Sequence, residues 1–379
     1  MVDQLRDRIQ SEVGTAFADN NDNGIVILPT GTGKSRIIIE RIKALGRIYP
    51  TGRFIYTCDS IRLRDIDFPN ELRKWEASEL VSRIERKCYA SAYEIKNQKY
   101  DVWLADEFDY MLSPEYVKFA LNNSFKHKLL VSATLSGEKR AMALKIAPLL
   151  YEKKTFEIEG DGIINKSRHL LVKYLLNDEE NRQYIKYNDK FIRLLNDDTL
   201  WAQNQLKFLS IERKQFLQNL TSSRSMCRNL ISYLHKNVQN TRVLIFGGSV
   251  AQIDSIMPWT YHSENEKSDW LNAFNNGDIN YLGVVGKIDR GVNLNNINTI
   301  IFESIDASET KMIQRSGRGK RMKQDEVLDV YYLIPYFKTE KGDIKPTVVE
   351  KWFTKSTTNI DTSNLENFVI PCPTPNPSM

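Results

Sequence analysis

Cysteine is scarce in this sequence. The 379 residues hold four, Cys58, Cys88, Cys227 and Cys372, and no two form a C-x-x-C pair. That argues against a zinc site and against a disulfide framework, and it fits a reducing, cytoplasmic compartment. Long apolar runs are missing as well. None approaches the roughly 20 residues needed to cross a bilayer, so no membrane partner is expected. The N-terminal stretch "MVDQLRDRIQ" is charged and lacks the apolar core of a signal peptide. Nor does charge of one sign dominate. A net charge of +5 permits a polyanionic partner without demanding one. What remains is an ordinary globular composition, with 41% apolar and 27% charged residues, in a chain long enough for two domains.

Short apolar runs recur along the chain with helical stretches between them. Early on they are 24–29, 53–58, 101–105 and 128–134; later they are 242–248, 279–286, 297–304 and 328–334. Strands alternating with helices predict parallel sheets covered on both faces. The pattern occurs twice. Between the two occurrences, residues 177–240 read as a helical insertion, opening on Asn177 with Glu180 three residues on, the spacing of a helix cap. Its basic residues Lys207, Arg213, Lys214, Arg224 and Arg228 read first as a solvated face. Residues 336–379 read as a tail, with an anchor-like "VVEKWF" and a Pro-rich end. The fold class expected is α/β, with domains over 1–155 and 156–335.

The stretch "ILPTGTGKSRIII" joins an apolar strand to a helix whose stripe is Ile37, Ile38, Ile39, Ile42 and Leu45. Between them lie Thr30, Gly31, Thr32 and Gly33. Glycines let backbone amides close on a ligand, and amides at a helix start favour anions. Lys34 is placed to meet the β- and γ-phosphates of a nucleotide, and the Ser35 hydroxyl to meet Mg²⁺. The usual eight-residue pattern begins with glycine, whereas this chain has Leu28 there. An ordinary glycine-rich turn is the plainer alternative.

"VWLADEFD" (102–109) supplies the second half of an ATPase. Asp106 would hold Mg²⁺ through its water shell, and Glu107 would polarise the attacking water. Acidic residues often end strands, so the order of loop and then Asp-Glu gives this pair its weight. "VSATLS" (131–136) follows at another strand end. Ser132 and Thr134 could hydrogen-bond Asp109 or Glu107 and relay the state of the γ-phosphate. The most specific stretch is "QRSGRGKR" (314–321). Arg318 and Arg321 lie three apart near a helix start and so share a face. They suit arginine fingers, with Gln314 beside them. A basic surface helix would explain neither Gln314 nor Gly317.

In this order, "PTGTGKS", "YTCDSIR", "DEFD", "SAT", "VLIFGGS", "DRGVN" and "QRSGRGKR" resemble the motif set of superfamily 2 DNA and RNA helicases, including type III restriction and UvsW-like motors. The resemblance spans about residues 5–335. It implies two tandem RecA-like domains, with ATP and Mg²⁺ as cofactors. Gln10 would read adenine, and Gly291 and Asn293 would join Gln314, Arg318 and Arg321 on a second wall of the ATP site. Thr57, Arg62 and Arg64 would meet the phosphates of a bound strand. Two departures stand out: DEFD is not the DEAD signature, and Asn293 occupies a position where aspartate is frequent. Likeness to small recombination and repair helicases of bacteria and viruses favours DNA over RNA, and a bacterial or virus-infected host cytoplasm. The rival expectations are an ATP-dependent switch without movement, or a motor subunit of a larger complex. No protein partner is legible, and the 44 residues beyond the motor are too few for a nuclease module.

Overall fold

The structure, a computed structural model, describes residues 2–29, 31–135, 137–160, 166–262, 264–265, 269–285, 294, 296–305, 327–357 and 365–370. The described residues divide into two units, one within residues 2–160 and one from residue 166 onward.

The first unit is built on six strands: β1 (Asn23–Ile27), β2 (Phe54–Cys58), β3 (Ile84–Cys88), β4 (Lys99–Ala105), β5 (Ser124–Ser132) and β6 (Leu149–Glu152). Their order in the sheet is β3-β2-β4-β5-β1-β6, and every pairing is parallel. Parallel strands are covered on both faces, so they read as continuous apolar runs. β2 and the carboxyl halves of β1 and β4 are such runs, buried at consecutive positions. Helices Val2–Asp19 and Lys34–Ile48 cover one face through Ile9, Val13, Phe17, Ile38 and Leu45. Trp103, Phe108, Phe119 and Leu130 fill the other. β3, "IERKC", pairs among the described residues only with β2, and its three middle residues are half-buried. That edge position is why its polar sequence does not announce a strand.

The second sheet comprises β7 (Ser167–Leu175), β8 (Val243–Phe246), β9 (Thr260–Tyr261), β10 (Tyr281–Val284), β11 (Thr299–Phe302), β12 (Leu328–Lys338), β13 (Ile344–Pro346) and β14 (Leu365–Asn367). Its order is β14-β7-β12-β11-β8-β10-β9, all parallel, with β13 antiparallel on β12. The helix Trp270–Asn276 ends at Gly277, whose φ of 89° is a left-handed cap before β10.

Two sequence expectations need correction here. Of the three helices in the expected insertion, only Asp178–Leu195 and Leu200–Leu217 form a separate pair, around a small core of Leu194, Ala202 and Leu209. The third, Thr221–Asn237, is a layer of the domain, because Cys227, Leu230 and Leu234 pack on Leu170, Val172 and Val243. The expected tail is likewise integral to the sheet. β12 runs on to Lys338, β14 pairs with β7, and helix Val348–Ser356 buries Val349 and Phe353, the latter edge-on to Tyr332 at 4.9 Å. Residues 371–379 lie outside the described residues. Among the described residues no helix is long and apolar enough to cross a membrane.

Candidate active site

Strands β4, β5 and β1 are consecutive neighbours and run the same way. Their carboxyl ends therefore share one edge, where ligands of open α/β sheets bind. Three sequence motifs lie on that edge. The chain leaves β1 through Leu28 and Pro29 and turns at Gly31 (φ 92°) and Gly33 (φ 90°), both left-handed. A side chain at either position would be strained. The buried Thr32 hydroxyl donates to the Pro29 carbonyl at 2.8 Å and fastens the loop. The helix then begins at Lys34, so Lys34 and Ser35 occupy its first turn. Lys34 Nζ folds back on the loop and donates to the carbonyls of Leu28 (3.0 Å) and Pro29 (3.4 Å).

Asp106 follows β4 directly. Its backbone is held twice: its N–H donates to Thr57 O (3.0 Å), and its carbonyl accepts from the Tyr89 hydroxyl (2.7 Å). Burial, and then the neighbouring Glu107 charge, push the Asp106 carboxyl up to about 6, while Lys34 pulls it back. Glu107 stands in the left-handed region at φ 52° and opens the short helix Phe108–Met111. That conformation is uncommon for a residue with a Cβ and clusters at functional sites. Asp109 accepts from the Ser132 hydroxyl at 2.8 Å, and Lys139 Nζ lies 3.6 Å away. Its carboxyl also rises to about 6 through burial and the Glu107 charge, offset by Lys139 and Ser132. Thr134 is buried beside them, with its carbonyl 2.9 Å from the Ser132 hydroxyl.

Gln10, on the first helix, reaches the same loop. Its amide nitrogen lies 3.4 Å from the Thr32 carbonyl, and its oxygen is buried without a hydrogen-bond partner among the described residues. The expected nucleic-acid contacts fare differently. Thr57 is overturned as a surface contact. β2 is flanked by β3 and β4, and the buried Thr57 hydroxyl is occupied by Leu104 O (3.3 Å) and Trp103 Nε1 (2.8 Å). Arg62 and Arg64 lie beyond the end of β2 but face carboxylates of their own segment. Arg62 is 3.4 Å from Asp67, and Arg64 grips Asp65 with two bonds of 2.7 and 2.6 Å.

Residues 223–323 match the helicase conserved C-terminal domain family. The chain is also similar to the DNA 3'-5' translocase XPB2 of Sulfurisphaera tokodaii, 24% identical over 359 residues, covering 86% of this chain and 80% of that protein. The family match and the similarity to a DNA translocase together support a superfamily 2 helicase. Its fold is similar to the Pyrococcus furiosus Hef helicase domain, with a TM-score of 0.58 at 15% identity over 93% of this chain and 99% of that one. It is similar too to S. cerevisiae Dbp5 bound to RNA and ADP BeF3, with a TM-score of 0.55 at 12% identity over 91% and 85%. The two parallel-sheet units thus match RecA-like helicase structures in fold.

Thr30, Gly291, Asn293, Gln314, Arg318 and Arg321 lie outside the described residues. Sequence reasoning missed two groups that the site employs. The Tyr89 hydroxyl braces Asp106, and Lys139 faces Asp109. Tyr89 follows the unrecognised strand β3, and Lys139 sits in a charged run, so neither carried a positional signal.

Proposed function

We propose that this chain is an ATP-dependent motor that moves along, or unwinds, nucleic acid, with DNA preferred over RNA. The observation that carries the reading is the shared sheet edge of the Lys34 loop, Asp106 and the Ser132–Asp109 bond. The preference for DNA rests on the similarity to a protein described as a DNA translocase.

The residues fit ATP and Mg²⁺. Two left-handed glycines open a 15-residue helix whose amides favour an anion. A buried, charge-costly carboxylate stands within the field of Lys34, an arrangement that a divalent cation would relieve. Gly31, Thr32, Gly33 and Lys34 would hold the phosphates, Ser35 and Asp106 the metal, and Gln10 the base. When bound, the nucleotide supplies the phosphoryl group whose transfer to water drives movement. Lys34 neutralises charge on the transferring group. Glu107 accepts the proton of the attacking water at its carboxylate. Ser132 ties the water-activating segment to the end of β5. Arg318 and Arg321, with Gln314, would stabilise charge on the transferring group.

The test is ATP hydrolysis measured with single-stranded DNA, duplex DNA, branched DNA and RNA as activators. Stimulation by DNA above RNA is expected. Hydrolysis indifferent to every nucleic acid would favour a switch over a motor.

A further inference from the structure

A second polar cluster sits at the carboxyl edge of the second sheet, to which the motif stretch "VLIFGGS" contributes the Gly248 N–H. Its centre is Glu303, the residue after β11, wholly buried. Three elements supply its donors. The Ser223 hydroxyl, from the first turn of helix Thr221–Asn237, lies 2.6 Å from one carboxylate oxygen. Gln252 Nε2, from the first turn of helix Val250–Ile256, lies 3.0 Å from the same oxygen. The Gly248 N–H, just past β8, lies 3.3 Å from the other. A buried anion with such donors fixes their positions, because leaving any of them unpaired is costly.

The consequence reaches Arg224. The Gln252 amide group donates to Glu303 and to Leu220 O (2.7 Å), which fixes which way the side-chain amide faces. Its oxygen is left to accept from an Arg224 terminal nitrogen at 3.3 Å. Arg224 Nε is buried with no hydrogen-bond partner, and among the described residues no carboxylate lies within ion-pair distance of the guanidinium. The side chain is half-buried at the start of its helix, bonded to Gln252, which in turn holds Glu303 just past the end of β11. This is the ligand-binding edge of an open parallel sheet. A guanidinium held on one side by a fixed amide presents its remaining donors in a planar fork suited to phosphate. The sequence alone had placed Arg224 on a solvated face; the structure does not.

We infer that Arg224 contacts a backbone phosphate of the nucleic-acid strand and that Gln252 and Glu303 are positioning residues for it. The inference rests on the nucleic-acid reading proposed above.

Binding of a labelled single-stranded DNA, followed by anisotropy from about 50 to 200 mM salt, tests it. Losing one phosphate contact removes about 0.7 from the slope of log affinity against log salt on a single strand. Arg224→Ala should show that loss, with weakening independent of base sequence. Arg224→Lys should keep the wild-type slope while binding more weakly, since charge is retained and the fork is lost. Glu303→Gln should weaken binding in the same direction although every cation is present. Lys236→Ala, about 18 Å along the same helix, should leave the slope alone. A wild-type slope in Arg224→Ala overturns the inference even if Glu303→Gln fails to fold. An equal loss in Lys236→Ala overturns it too. If the wild-type protein binds no nucleic acid, the functional reading falls first and this one with it.

Discussion

The Ser132 hydroxyl donates to an Asp109 carboxylate oxygen across 2.8 Å, joining the end of β5 to the segment that carries Glu107. Asp109 is almost wholly buried, and its other close partner is Lys139 at 3.6 Å. Ser132→Ala leaves a buried carboxylate short of a donor, a loss of about 1–3 kcal/mol. Turnover should fall while ATP affinity, measured with a fluorescent analogue, changes little. Equal losses in affinity and turnover would count against a relay role.

Lys34→Ala should abolish nucleotide binding. Glu107→Gln should keep binding and lose turnover, since only the proton-accepting carboxylate changes. Wild-type hydrolysis by Glu107→Gln would remove Glu107 from the mechanism.

The left-handed backbone of Glu107 makes a second, opposite demand. Glu107→Gly relieves strain of about 1 kcal/mol, and the melting temperature should rise by about 2–4 °C as turnover disappears. A lower melting temperature would mean that the Glu107 side chain holds the segment in place.

Stability should also depend on pH near the site. The folded Asp109 carboxyl titrates at about 6, above the roughly 3.9 of an unfolded aspartate. Between those values the folded state binds the extra proton, so this group's contribution is full below the lower value and is lost as pH rises through about 6. Nucleotide-free protein should therefore melt higher at about pH 5 than at about pH 7, and Asp109→Asn should lessen that difference. An unchanged profile in Asp109→Asn would assign the effect elsewhere.

Arg318→Ala and Arg321→Ala should each lower turnover by about 10³ with little change in ATP affinity, the behaviour of arginine fingers. An arginine whose loss alters only nucleic-acid affinity belongs to the binding surface.

Legibility in the sequence followed burial and turn chemistry. β2 and the carboxyl halves of β1, β4 and β5 were readable because strand segments covered on both faces are continuous apolar runs. Asn177 was readable as a cap, and the reciprocal bonds with Glu180 are present at 2.9 and 3.2 Å. β3 was not readable, because an edge strand tolerates "IERKC". β9, β13 and β14 are three residues or fewer and carry no period. At the site, spacing placed Lys34, Asp106 and Ser132 in their motifs. Thr57 was misjudged because a hydroxyl in a flanked strand looks the same in sequence as one on a surface. Glu303 and Arg224 were missed because their partnership joins residues far apart in sequence, which no local pattern encodes.

The outermost strand β14 pairs with β7, placing Leu365 against His169, nearly two hundred residues earlier. The described strands and helices of the first unit, by contrast, all fall within residues 2–160. During synthesis the elements of this unit can pack together once the helix carrying the buried Ile158 emerges, just after β6. The other must wait, with β7 exposed, for β12 and then β14 to arrive. Long-range parallel pairing of this kind folds slowly. The carboxyl-terminal unit is thus the one whose yield should depend most on elongation rate and chaperone supply.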